Sequence, residues 1–261
     1  MQIPVNREMA LKACKTMKDF HSELTELYTK NGMNLSANRG RRNVLMSAPM
    51  EHFLAKAIKD TGVFPNVSSD GRTGEADITI HNHGGNTTEI ECKLTSPHQS
   101  SGSIAFQTDH DTLVNKGNLD YVYIIANEDF TGFCVIYFSG LSIEDFRGLS
   151  PGARGKVQMY KHFGMKKATV LVGSSISSKD KKLKKLADEL KEKVEAKTVE
   201  LQRWREELSL LGEGSNYRKK ILNEQIQRGL NYIDESVNIT ADNVRITKST
   251  KARYSFKYET V

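Results

Sequence analysis

The chain has 261 residues, with 38 Lys and Arg against 32 Asp and Glu, a net charge of +6 and a mean hydropathy of −0.52. That length buries a full core, as one large domain or as a domain with a substantial subdomain. Three cysteines at scattered spacings (Cys14, Cys92, Cys134) exclude a disulfide framework and a zinc-finger pattern, and the longest apolar runs, VYIIA and FCVIYF, are too short to cross a bilayer.

The first residues, MQIPVNREMALKACK, lack the apolar stretch of a secretory signal, so a cytoplasmic protein with no membrane contact is expected. Asn6 caps a helix in which Met9, Ala13, Met17, Leu24 and Leu27 recur at helical spacing as far as Gly32. A basic loop with Arg39, Arg41 and Arg42 follows. A second helix is predicted from Ser47 to Gly62, with Pro49 in its first turn and Glu51 just beyond. The loop FPNVSSDGRTG leads into GEADITIHNHGGNTTEIECKL, which reads as two strands joined by a polar Gly-Gly turn. After the Ser-rich loop TSPHQSSGS, a helix is predicted over IAFQTDHDTLVNK, and then strands at Tyr121 to Ala126 and Phe133 to Phe138. Ser142 caps the short helix SIEDF, and ATVLVG is a further buried strand.

From Lys179 the pattern changes to a long amphipathic helix with leucines at near-heptad spacing, broken near Val194. A second helix runs from about Tyr217 to Ile233, and Val244 to Lys248 with Arg253 to Tyr258 alternates like a β-ribbon. Charge divides along the same line. Residues 1–150 carry 14 basic against 18 acidic residues, and residues 151–261 carry 24 against 14. An acidic half that attracts cations beside a basic half suits a protein that holds a polyanion and works on it. The predicted organisation is a core over residues 1–175 with an N-terminal helical region. A basic helical subdomain over 176–261, ending in the ribbon, serves DNA binding or dimerisation.

The two strands of the hairpin carry the chemistry. Successive side chains alternate between faces, so Ala76, Ile78 and Ile80 oppose Glu75, Asp77 and Thr79, and Ile90, Cys92 and Leu94 oppose Glu89, Glu91 and Lys93. With the apolar faces buried together, Asp77, Glu91 and Lys93 project from one side. A turn centred on Gly84 and Gly85 sets Asp77 opposite the vicinity of Cys92. Mg²⁺ prefers a few carboxylate oxygens and keeps several waters. Asp77 and Glu91 supply two ligands, and the backbone carbonyl of Cys92 can supply a third. The lysine neutralises charge developing on a phosphate under attack.

Asp77, thirteen residues, then Glu91-Cys92-Lys93, with Glu51 on the preceding helix, resembles the PD-(D/E)xK nuclease superfamily, above all its type II restriction endonucleases. The resemblance spans about residues 47–140; Ala76 stands where the motif name has Pro. It implies an α/β (α+β) core, a central mixed sheet flanked by helices, here followed by the C-terminal helical hairpin and ribbon. It also implies Mg²⁺-dependent cleavage of double-stranded DNA leaving a 5′-phosphate, with Asp77, Glu91 and Lys93 catalytic. Glu51 becomes a further metal ligand, and Gln107 a site residue on the helix after the lysine. A homodimer would place two such sites on two strands. Arg72, His98, Gln99, Ser100 and Ser101 flank the site as candidate DNA contacts, with Gln107 and Lys156 beside them. Lys161, Lys166 and Lys167 suit phosphates. A repair, recombination or phage DNA-processing nuclease on the same core, and a non-catalytic DNA-binding protein, are the alternatives.

Overall fold

The computed structural model describes residues 3–69, 75–98, 100–150, 152, 154–237 and 254–261. They divide into two compact units, Met1–Ser175 with Tyr254–Val261, and Ile176–Arg253.

The first unit opens with α1 (Arg7–Lys30), whose N-terminal amides are met by Asn6: its Oδ1 accepts from the Met9 N–H at 2.9 Å. A 3₁₀ turn at Leu35–Ala37 leads to α2 (Arg39–Lys59), capped by the Asn38 side chain. This helix starts eight residues earlier than the sequence suggests, and Pro49 lies inside it. The reason is a buried stripe, Arg42, Met46, Met50, Leu54 and Ile58, recurring every fourth residue. Arg42 belongs to that stripe, so it is no basic loop residue. Fully buried, it donates to the Glu128 carbonyl at 2.5 Å and to Ser96 Oγ at 2.9 Å, and lies over the Phe130 ring.

β1 (Asn66–Ser68), β2 (Ile78–His81) and β3 (Thr87–Thr95) follow, then β4 (Gln107–Asp109) and α3 (His110–Lys116). The segment predicted as one helix from Ile104 thus begins extended. Ile104, Phe106 and Thr108 are buried while Ala105, Gln107 and Asp109 are not, which is the period of a strand. β5 (Leu119–Ala126) and β6 (Gly132–Leu141) form a long antiparallel pair. A 3₁₀ turn at Ile143–Asp145, β7 (Lys156–Gln158), α4 (Lys161–Gly164), a 3₁₀ turn at Met165–Lys167, β8 (Ala168–Val172) and β9 (Ser174–Ser177) complete the first pass.

The main sheet is mixed, in the order β1-β2-β3-β5-β6, with β8 and β11 (Glu259–Thr260) both pairing with β6. Within it β3 and β5 run parallel and every other pair is antiparallel. Cores lie on both faces. One joins Ile78, Ile90, Cys92 and Val122 to α1 and α2; the other joins Tyr121, Tyr123, Ile136 and Phe138 to the β4–β7 segment through Phe106, Val157 and Met159.

The second unit holds α5 (Ser178–Leu210) and α6 (Asn216–Val237), packed together around Leu201 and Leu222 with Gly229 beneath Leu201. α5 is one continuous helix through Val194, where the leucine stripe breaks, and the Thr198 hydroxyl donates to the Val194 carbonyl at 2.8 Å. The expected C-terminal ribbon is also revised. Val244 to Lys248 lies outside the described residues, and β10 (Tyr254–Lys257) pairs with β9, at which the first unit's long segment ends. Among the described residues no helix is long and apolar enough to cross a membrane.

Candidate active site

The site is built on β3, an interior strand with β2 on one edge and β5 on the other. Alternation sends Ile90 and Cys92 into the helix-covered core and sends Glu91 and Lys93 to the opposite face, in register with Tyr121 and Tyr123 of β5. The hairpin register pairs Ile78 with Ile90. Continued by one residue, it sets Asp77 across from Glu91, one position from where a turn centred on Gly84 and Gly85 would set it. Directly opposed residues share a face, so this register brings the two carboxylates to the same side.

Glu91 is buried, and its Oε1 accepts from Lys93 Nζ at 2.5 Å. Asp77 is half-buried, and its Oδ2 accepts the Cys92 backbone N–H at 2.7 Å. An extended residue directs its N–H and C=O to the same strand edge, so the Cys92 carbonyl also leaves β3 on the Asp77 side, just beyond the start of β2. Glu51, in the fourth turn of α2, lines the same cavity as Cys92 and Lys93.

The electrostatics of this cluster are mutual. Burial, then the Asp77 charge, lifts the Glu51 carboxyl to about 7 against the pull of Lys93. Asp77 is raised by burial and by Glu91, with Lys93 and the Cys92 amide opposing. For Lys93, burial works downward, yet Glu91 and Asp77 outweigh it and the ammonium titrates above its ordinary value. Three carboxylates surround one ammonium, an excess of negative charge that protonation of Glu51 partly relieves and that a divalent cation would also relieve. Among the described residues no three His, Cys, Asp or Glu side chains close into a ligand cluster. Mg²⁺ asks for less, one or two carboxylates with the remaining positions left to water, and this open set of hard oxygens meets that requirement. The Cys92 thiol points into the apolar core, where burial first, and then the Asp77 charge, holds it protonated.

A cavity of about 800 Å³ opens from Lys93 and Glu51. Of the residues expected to meet DNA, His98, Gln107 and Lys156 line it. His98 Nδ1 meets Ser100 Oγ at 3.1 Å, and Lys156 Nζ donates to Asp109 at 2.8 Å. Gln107 sits on β4 and not on a helix; its carbonyl accepts from the Tyr123 hydroxyl at 3.0 Å, and its side chain is exposed at the cavity wall. Ser100 and Ser101 are exposed in the adjoining turn, where Ser101 Oγ meets Ser103 Oγ, and neither lines the cavity. Arg72 and Gln99 lie outside the described residues. Arg39, which the sequence places in a basic loop, instead starts α2 and lines the cavity, anchored to the Pro97 carbonyl at 3.3 Å and ion-paired with Glu128. The capping residue Asn38 beside it was the available signal.

Comparison with protein-family models, with curated proteins and with solved structures gives no match.

Proposed function

We propose that this protein is a Mg²⁺-dependent nuclease that hydrolyses DNA phosphodiester bonds beside Glu51 and Lys93 in the cavity. The reading takes its core as restriction-endonuclease-like, with the homodimer cutting both strands of a specific duplex sequence and leaving 5′-phosphates. The observation that carries it is the seating of Asp77 on the Cys92 amide beside the Glu91–Lys93 pair. That arrangement concentrates half-buried and buried carboxylates around a single cation at one strand end.

Asp77, Glu91 and the Cys92 carbonyl would hold the ion, with Glu51 nearby. When bound, Mg²⁺ supplies Lewis acidity toward the scissile phosphate. In the metal-free protein Lys93 is kept protonated by its carboxylate neighbours. Its part is to offset negative charge growing on the phosphoryl oxygens as water attacks. In the metal-free protein the Glu51 carboxyl is raised by burial and by the Asp77 charge. The cation and the ammonium together must account for much of a barrier reduction on the order of 20 kcal/mol, since phosphate esters hydrolyse very slowly unaided.

The test is to incubate purified protein with unmethylated phage DNA and Mg²⁺. A reproducible banding pattern is expected. DNA that stays intact with Mg²⁺ and with Mn²⁺ would remove the reading. Calorimetry adds an independent check, because Asp77→Ala should abolish the heat of Mg²⁺ or Ca²⁺ binding, and an unaltered isotherm would exclude Asp77 as a ligand.

A further inference from the structure

Two arginines in the first turn of α2 bridge the same pair of segments. Arg39 donates to the Pro97 carbonyl at 3.3 Å and ion-pairs with the Glu128 carboxylate. Arg42 donates to Ser96 Oγ at 2.9 Å and to the Glu128 carbonyl at 2.5 Å. Ser96 and Pro97 continue β3 beyond Lys93 and line the cavity, with His98 next to them. Asn127 and Glu128 lie in the turn between β5 and β6. The start of α2, the cavity wall and that turn are therefore joined at one place.

Arg42 is the unusual member of the pair. Its side chain is fully buried, and among the described residues it forms no ion pair. Besides Ser96 and Glu128 it meets Asn43 Oδ1 and the Asn127 carbonyl, each at 3.4 Å, so every bond goes to an uncharged group. Burial, and then the Arg39 charge, pull its pKa down, with Asp129 and Glu128 opposing. The ring that Arg42 lies over belongs to Phe130, whose φ of +58° is a left-handed conformation strained for a bulky residue. The same stripe of α2 continues with Met46, Met50 and Leu54, and a methionine at its first position would fill the core without desolvating a charge. A buried charge beside a strained backbone serves stability poorly, and such features collect where a site's geometry has to be held.

We propose that Arg42 is a positioning residue that locks the cavity wall at residues 96–98 to α2 and to the β5–β6 turn. Its planar fork reaches both segments at once. Arg39 assists from outside, where its partner Glu128 is 71% exposed and the pair contributes little. The lock sets where the chain runs as it leaves Lys93, and holds that wall against the helix that carries Glu51. Its bearing on cleavage rests on the nuclease reading of the site; the lock itself does not. Substrate meets a wall already in place, so loosening it should lower turnover and not binding.

Hydrogen–deuterium exchange on the whole protein, read over residues 94–98, tests the lock without metal or DNA. Arg42→Met and Ser96→Ala should each speed exchange there at least about tenfold, while the rest of the sheet and the melting temperature are little changed. The double variant should be no faster than either single one, since both break the same link. Arg42→Lys keeps the charge and loses the fork, so it should behave as Arg42→Met does. With Mg²⁺ and DNA, kcat should fall at least about tenfold in Arg42→Met while KM stays within a few-fold. Exchange at the wild-type rate in Ser96→Ala and Arg42→Met alike would overturn the proposal, as would full recovery by Arg42→Lys. Exchange accelerated throughout the first unit, with a lower melting temperature, would also overturn it, because Arg42 would then hold the fold and not the wall. An unchanged kcat above a loosened wall would remove the positioning role. A loosened wall in a protein that never cuts DNA would remove only the nuclease reading.

Discussion

Lys93 is held by Glu91 at 2.5 Å and flanked by Asp77, so its charge is secure across the whole neutral range. Lys93→Ala should lower DNA cleavage by at least about 10²–10³-fold while leaving DNA affinity within a few-fold; cleavage at the wild-type rate on plasmid DNA would take Lys93 out of the chemistry. Glu51 behaves differently. With its carboxyl lifted to about 7 from an ordinary 4.5, the folded protein retains a proton that the unfolded chain has lost. Without metal, stability therefore falls as pH rises between those values. Glu51→Gln should raise the melting temperature of the metal-free protein at pH 8 and have little effect at pH 4.5. Equal shifts at both pH values would mean that neither burial nor the neighbouring carboxylates raise Glu51. At this scale the sequence was informative about Asp77, Glu91 and Lys93, because strand alternation alone assigns them a common face. It was not informative about which atoms meet. The bond from the Cys92 amide to Asp77 depends on the register, and one residue of slip moves every opposition.

Between α1, α2 and the β5–β6 turn, His21 stacks on Phe130 with ring centroids 4.4 Å apart, and Arg42 stands 4.9 Å from the centre of the same ring. His21 Nε2 is buried with no hydrogen-bond partner among the described residues. Burial, with Arg42 adding to it, lowers the His21 pKa from 6.5 to about 4. The unfolded chain then takes up a proton that the folded one refuses. Stability should fall as pH drops from about 6.5 toward 4, by up to roughly 1.4 kcal/mol for each pH unit crossed. His21→Phe keeps the stacking and removes the titration, so its melting temperature should decline less between pH 7 and pH 5; parallel declines would assign the acid sensitivity elsewhere. The same helices explain what could be read at the level of elements. α1, the hairpin and the β5–β6 pair follow from periodicity and capping. The true start of α2 was hidden because its apolar stripe begins with a charged residue, Arg42, whose partners lie far along the chain at Ser96 and Glu128. β4 was hidden because three residues of strand run directly into a helix.

Over the whole molecule, the helical hairpin is an excursion between β9 and β10, and the chain returns to the first unit afterwards. Composition marks where the excursion begins, at the change to Lys- and Leu-rich sequence. It does not mark the return, because the terminal strand's partner on β6 is more than a hundred residues away, at Phe133. Gly173 makes the return possible. It has a φ of +74°, and a Cβ there would lie 2.3 Å from the Lys257 carbonyl, a backbone atom that cannot step aside. Gly173→Ala should cost at least about 2 kcal/mol, combining left-handed strain with that clash, and should lower the melting temperature accordingly. A wild-type melting curve would show that the terminal strand sits elsewhere.

Glu259 pairs with Phe133 in the sheet and with Arg7 at the start of α1, so residues 252 positions apart in the chain are bonded. During synthesis, then, the nascent polypeptide carries an open flank at Phe133 until the entire hairpin has cleared the ribosome. A truncated product ending anywhere within α5 or α6 would keep that flank bare and offer it to other chains. Degradation or aggregation of such fragments, with the full-length product spared, is what this late closure implies for expression in a cell.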